Sequence, residues 1–252
     1  MRKIFKFVLV VALMLTSGFS FAADKITIAA AANLRYVLEE LKQQYLKENK
    51  GAEIEIVFGA SGTLTQQIVN GANFDLFLAA NTKFPEEVIA KGFGEGSSAI
   101  YCYGKVALWS MSIDVKKGIK ATLSNPKVNR IAVANPKLAP YGKNAVETLQ
   151  KLGLYETVEP KIVWGENINQ TAQFVSTGNA QVGFVALSTI LAPEMKGKQG
   201  KYYILKNEEC QPIAQAGVVI KGKNTAAADK FFKYITSSKA TAIWKKHGYE
   251  VK

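Results

Sequence analysis

Phe58-Gly-Ala-Ser-Gly-Thr-Leu-Thr-Gln-Gln-Ile68 is the stretch on which the reading of this chain turns. A short apolar run, Ile54 to Phe58, breaks on glycine and restarts with helical spacing, which predicts a strand, a tight turn and a helix. Gly59 and Gly62 let the backbone turn sharply on either side of Ser61. The amides of the new helix's first turn have no intrahelical acceptors. With the positive end of the helix dipole and the Ser61 hydroxyl, they make a small anion socket. A serine at such a junction can equally be a helix cap and nothing more. Repetition bears on that choice, because three other strand-to-helix junctions carry the same kind of neutral donor.

Strands and helices alternate along the chain. Ile26 to Ala30 precedes Leu34 to Glu48, Ile54 to Phe58 precedes Leu64 to Asn70, and Arg130 to Ala134 precedes Lys143 to Leu152. Lys161 to Trp164 precedes Ile168 to Thr177, and Gln181 to Val185 closes the series. Leu34, Val37, Leu38, Leu41 and Tyr45 share one helix face, as do Val146 and Leu149, and Ile168, Ala172 and Val175. Continuous apolar strands alternating with amphipathic helices indicate α/β architecture, with parallel sheets covered on both faces. Ligands of such sheets bind beyond the carboxyl ends of the strands. The first junction places Asn33 where an N-cap residue belongs, and the third brackets Tyr141 between Pro140 and Gly142, which constrains its backbone so that its phenol can be aimed inward rather than packed. In the fourth, Asn167 caps a helix whose first donor is the Ile168 amide. An amide side chain, a hydroxyl, a phenol and helix-start amides suit a fully deprotonated tetrahedral oxyanion, whose oxygens only accept. Hydrogenphosphate would leave its own proton unpaired there, a penalty of roughly 1–3 kcal/mol. Glu166, the nearby acid, reads as a capping or dipole partner.

A basic start, Met1 to Lys6, then the apolar run Phe7 to Leu15 and small residues at Ser20 and Ala22, form a secretory signal peptide over 1–22. The run is shorter than the roughly 20 residues of a membrane-spanning helix, and no cysteine follows the cleavage site, so a periplasmic protein without a lipid anchor is expected. Cleavage removes Arg2, Lys3 and Lys6 and lowers the formal charge from +12 to +9. The lysines are scattered, without a polybasic block or interleaved aromatics, so no nucleic-acid partner is expected. Cys102 and Cys210 are an even count in an oxidising compartment, which favours a disulfide, with two buried free thiols as the alternative. Two cysteines and the single His247 do not make a zinc site; His247 reads as a surface or packing residue. A secreted hydrolase is disfavoured, since Gly59-Ala-Ser61-Gly62 lacks the Gly-x-Ser-x-Gly spacing and His247 has no evident acid partner.

Ala30-Ala-Ala-Asn-Leu34, Phe58-Gly-Ala-Ser-Gly-Thr-Leu64, Asp75-Leu-Phe-Leu-Ala-Ala80, Pro140-Tyr-Gly-Lys143, Glu166-Asn-Ile168 and the closing Ala240 to Tyr249 together resemble the molybdate-binding periplasmic proteins of ABC importers. The resemblance runs in the family's order over essentially the whole chain after the signal peptide. It implies a two-lobed, type II-like binding protein of two mainly parallel sheets, with an oxyanion held in the cleft and delivered to an inner-membrane permease and its ATPase. Molybdate is the implied ligand and tungstate the second, with sulfate or chromate as alternatives. Carried over by position, the ligand contacts fall on Asn33, Ser61, Tyr141 and the Ile168 amide. Some members supply a tyrosine where this chain has Ala186, so the phenol is implied to come from Tyr141 instead. No cofactor, no metal-cation ligand, no catalysis and a monomer are implied. The lobes are implied to comprise 23–103 with 211–252, and 104–210. That puts Cys102 and Cys210 near the two crossings, where a bridge would restrain hinge motion.

Overall fold

The computed structural model describes residues 24–222 and 224–251; the expected signal peptide lies outside them. From the N-terminus run β1 (Asp24–Ala31), a 3-10 turn (Ala32–Leu34), α1 (Arg35–Glu48), β2 (Ala52–Gly59), α2 (Ser61–Val69), β3 (Leu76–Ala79), α3 (Lys83–Ala90) and β4 (Gly94–Gly104). The chain continues with β5 (Val106–Ser110), α4 (Ile119–Leu123), β6 (Ile131–Ala134), α5 (Pro140–Lys151), α6 (Tyr155–Val158), β7 (Ile162–Gly165) and α7 (Ile168–Ser176). After β8 (Val182–Ala186), α8 (Leu187–Ile190) and β9 (Lys201–Ile204) it returns through β10 (Ile213–Ile220), α9 (Thr225–Ile235) and α10 (Ser238–Lys246).

Two five-stranded sheets result, in the orders β2-β1-β3-β10-β4 and β7-β6-β8-β5-β9. Each is the heart of one lobe. Four strands of each run one way; β10 opposes β3 and β4, and β5 opposes β8 and β9. The opposing strand is in both cases the first one laid down after the chain arrives from the other sheet. The crossings are Lys105, between β4 and β5, and residues 205–212, between β9 and β10.

The central strands β3, β6 and β8, and β1 from Ile28 onwards, are buried on both faces, as their unbroken hydrophobicity predicts, whereas the edge strands β2 and β7 leave Val57 and Trp164 exposed. Ile28, Ala30, Leu76 and Leu78 pack under α1 and α9 with Leu38, Leu41 and Phe231. The alternate residues Ala29, Phe77 and Ala79 meet Leu64 and Ile68 of α2 and Val88 of α3. The second sheet repeats the pattern, with Val133 and Phe184 in the core shared with Leu149 of α5, and Ala132 and Val185 against Ala172 and Val175 of α7. The predicted helix faces are buried, except that Val146 sits on the shoulder of α5, whose inner face is Tyr141, Ala145, Thr148 and Leu149.

Two expectations are corrected. Cys102 and Cys210 are free thiols rather than a disulfide. Cys102 is buried within β4, paired in register with Gln215 of β10, whereas the Cys210 sulfur faces Asn144 Oδ1 on α5 and the Gln211 carbonyl. No hinge restraint of that kind exists here. His247, for its part, does have an acid partner: it is buried, and its Nε2 lies 2.8 Å from Glu40 Oε2, tying the end of α10 to α1. The pair joins two helices of the first lobe and meets no serine.

Candidate functional site

The carboxyl ends of β1, β2 and β3 face those of β6 and β7, and a small cavity lies between them, lined by Asn33, Ser61, Tyr141, Ile168, Asn167 and short alanine and glycine backbone. All four predicted positions therefore line one cavity. No acid or base lines it; Glu166 is exposed and outside the lining.

Ser61 is not a cap. The N-cap of α2 is Ala60, and the Ser61 side chain makes no capping bond. Its Oγ instead accepts from the Ala80 amide at 3.0 Å, which occupies a lone pair and leaves the hydroxyl hydrogen to be donated elsewhere. The Gly62 and Leu64 amides go to the Leu138 and Ala60 carbonyls, while the Ser61 amide is left without a protein acceptor, although Ser61 is 1 % exposed.

On the other wall Asn167 is the cap that the sequence predicts. Its Oδ1 accepts from the Asn169 and Gln170 amides and its carbonyl from Thr171. Among the first amides of α7 only that of Ile168, a buried residue, remains unclaimed. Buried N–H groups without partners are rare, because each forfeits a hydrogen bond to water. Two such amides on opposite walls of one acid-free cavity suit an anion chemically.

Tyr141 occupies the first turn of α5, which begins at Pro140, three residues ahead of the expected Lys143. Burial, reinforced by the neighbouring Tyr249 and Cys102, pushes its phenol well above the usual range, so it stays protonated and able to donate. Asn33 is a correction in part. It sits in the 3-10 turn and caps nothing. Its Nδ2 donates to Gln215 Oε1 and to Tyr249 Oη, both at 2.9 Å, so both side-chain hydrogens are engaged within the protein, and its Oδ1 is buried without a partner. The donor expected from that side chain is not on offer in this arrangement. Ala186 ends β8 and does not line the cavity.

Gln215, Tyr249 and Ser188 were not legible as site residues. Gln215 is fully buried, donates Nε2 to Tyr141 Oη at 3.1 Å, and interrupts the apolar run of β10, the only hint the sequence carried. Ser188 Oγ donates to the Asn33 carbonyl at 3.1 Å, and Asn169 Nδ2 to the Ala32 carbonyl at 2.9 Å. With the Gly62 amide on the Leu138 carbonyl at 2.9 Å, these bonds join the two lobes directly across the cleft.

The family model for bacterial extracellular solute-binding proteins matches residues 26–250. The molybdate-binding protein of Rhodobacter capsulatus is 36% identical over 230 residues, covering 90% of this chain and 89% of the relative. That of Azotobacter vinelandii is 38% identical over 229 residues, covering 90% of each chain. Among solved structures, the periplasmic molybdate-binding protein of Azotobacter vinelandii superposes with a TM-score of 0.84 at 32% identity, covering 90% of this chain and 99% of that one. A sulfate-binding protein of Mycobacterium tuberculosis, with a TM-score of 0.75 at 14% identity over 89% of this chain and 86% of its own, shares the fold alone. Two like-patterned lobes closing on an acid-free, donor-lined cavity, and a match along almost the whole described length, lead to one conclusion: the chain belongs to the bacterial extracellular solute-binding protein family.

Proposed function

We propose that this protein captures molybdate, and tungstate with it, in the interlobe cavity and delivers the anion from the periplasm to an ABC permease with its cytoplasmic ATPase. The single observation that carries the reading is the pair of buried, unclaimed amides, Ser61 and Ile168, on opposite walls of a cavity without acids. The relatives named for molybdate support the choice of ligand. In this reading the Ser61 amide and hydroxyl act from the lobe of 23–103 and 211–252. Tyr141 and the Ile168 amide act from the lobe of 104–210, and Asn33 completes the first wall. Each donor is neutral, so hydrogen bonds and helix dipoles balance the dianion, and neither a metal cation nor a cofactor is needed. In this reading the role is binding without catalysis, carried out by a monomer, in keeping with the solute-binding family to which the chain belongs. Because donors come from both lobes, ligand binds the closed form better and shifts the population towards it.

Isothermal titration of ligand-stripped protein lacking residues 1–22 with molybdate, tungstate, sulfate, chromate and phosphate tests this. Tight binding of the first two with weak binding of phosphate is the expected result. Failure of every oxyanion to bind overturns the reading; preference for sulfate or chromate moves it to another tetrahedral anion in the same site.

A further inference from the structure

We propose that Gln215 is a positioning residue that sets which hydrogens reach the ligand, making Tyr141 the donor and withholding the side chain of Asn33. The inference rests on the oxyanion reading above. Gln215 stands on β10 just after the second crossing and holds one residue of each lobe: its Oε1 accepts from Asn33 Nδ2 and its Nε2 donates to Tyr141 Oη. A phenol has a single hydrogen. Once Gln215 donates to the Tyr141 oxygen, that hydrogen is directed away from Gln215 and is available to the cavity. At the other end of the bridge, Asn33 Nδ2 is held by Gln215 and Tyr249, and Oδ1 is the atom left over. Turning both amides over reverses the arrangement. Asn33 Nδ2 is then released, but Tyr141 must donate to Gln215 Oε1. While Gln215 bridges the two residues, Asn33 and Tyr141 cannot both donate through their side chains to one anion.

The surroundings hold Gln215 in this role. It is fully buried, and the titratable groups around it are Tyr101, Cys102, Tyr141 and Tyr249, all pushed upward by burial and so neutral across the working range. Tyr101 Oη donates to the Ala79 carbonyl at 2.7 Å and stands 3.4 Å from Gln215 Oε1. Gly104, on the neighbouring strand, has no Cβ where one would strike Tyr141 Oη and Gln215 Nε2.

The test is titration of molybdate into the wild type, Gln215→Glu and Gln215→Met, each with and without Tyr141→Phe, between pH 8 and pH 5.5, with thermal melts of the unliganded proteins as a check on folding. An ionised carboxylate at 215 only accepts, so it draws the Tyr141 hydrogen away. Gln215→Glu should bind at least tenfold more weakly at pH 8, and adding Tyr141→Phe should cost little more. Protonation restores one donor and one acceptor, so affinity should recover towards wild type as pH falls, while the wild type itself moves little. Charge repulsion alone would leave the Tyr141→Phe loss at its full size. In Gln215→Met the hydrogen is no longer steered, and the Tyr141→Phe loss should shrink at least threefold with no recovery at low pH. Equal, pH-independent losses in both variants with an undiminished Tyr141→Phe effect overturn the proposal. If Gln215→Glu melts below the assay temperature, the Gln215→Met comparison alone decides. Absence of any oxyanion binding by the wild type would instead sink the oxyanion reading on which the proposal stands.

Discussion

At Ser61 one hydrogen bond settles what the side chain can offer. Because Oγ already accepts from the Ala80 amide, the hydroxyl is oriented before a ligand arrives. Ser61→Ala should therefore do two things. It removes a hydrogen bond to a charged ligand, roughly 1.5–3 kcal/mol, so titration calorimetry should show affinity falling by about ten- to a hundredfold. It also strands the Ala80 amide, which should lower the melting temperature of the unliganded protein. A loss of affinity with no change in the unliganded melt would show that the Ala80 bond contributes nothing to the fold. Gly104 makes a complementary case. A methyl group there would collide with Tyr141 Oη and Gln215 Nε2, and overpacking of this kind costs typically 1–3 kcal/mol. Gly104→Ala is expected to weaken molybdate binding and destabilise the protein together, although residue 104 itself offers no donor; unchanged affinity would mean the phenol can move aside freely.

Elements turn such residues towards one another, and the sequence displays them unevenly. The junctions at Ser61 and Asn167 were legible because strand, glycine and helix follow one another locally and a cap has a local signature. The 3-10 turn at Asn33 was not, since its side chain answers to Gln215 and Tyr249, which lie 182 and 216 residues away in the chain. Burial of β4, β5, β9 and β10 likewise depends on partners fixed only by the crossings, and the free thiols follow from strand register rather than from cysteine count. Asn167 gives the element-scale prediction. Asn167→Ala uncaps α7, a loss of about 1 kcal/mol in stability. Asn167→Asp keeps the cap and the favourable dipole but sets a negative charge beside the cavity. Thermal melts should rank Asp close to wild type and Ala below it, whereas titration with molybdate should rank Asp lowest; matching orders in the two measurements would detach the cap from the site. The α1–α10 junction predicts a pH effect. Burial pushes the Glu40 carboxyl up, but hydrogen bonds and charge from Lys246 and His247 outweigh it, and its pKa falls below the usual 4.5. A lowered carboxylate pKa adds stability above the unfolded value and loses it as pH drops through the folded one. The melting advantage of wild type over Glu40→Gln should thus be full at pH 6 and shrink below about 4.5; an advantage that persists at pH 3 would rule out the ion pair as its source.

At the scale of the whole molecule the lobes meet through bonds that need no ligand. In the proposed mechanism the bond from the Asn169 side chain to the Ala32 carbonyl serves closing rather than recognition. Asn169→Ala should weaken molybdate and tungstate by the same factor, of a few-fold, leaving their order intact, because a ligand's apparent affinity scales with the population of the competent state. Small-angle scattering should show the unliganded variant more extended than wild type; a change in ligand order would place Asn169 at the anion instead. The strand order of the first lobe has a bearing on how the molecule comes to exist at all. Its β10 lies between β3 and β4, yet leaves the ribosome long after both, whereas every strand of the second sheet comes from one uninterrupted stretch, Val106–Ile204. The second lobe can therefore assemble while the first still waits with a gap between two neighbours. Pairings so distant in sequence are slow to form, and until residues 213–220 arrive the edges of β3 and β4 lie open to aggregation.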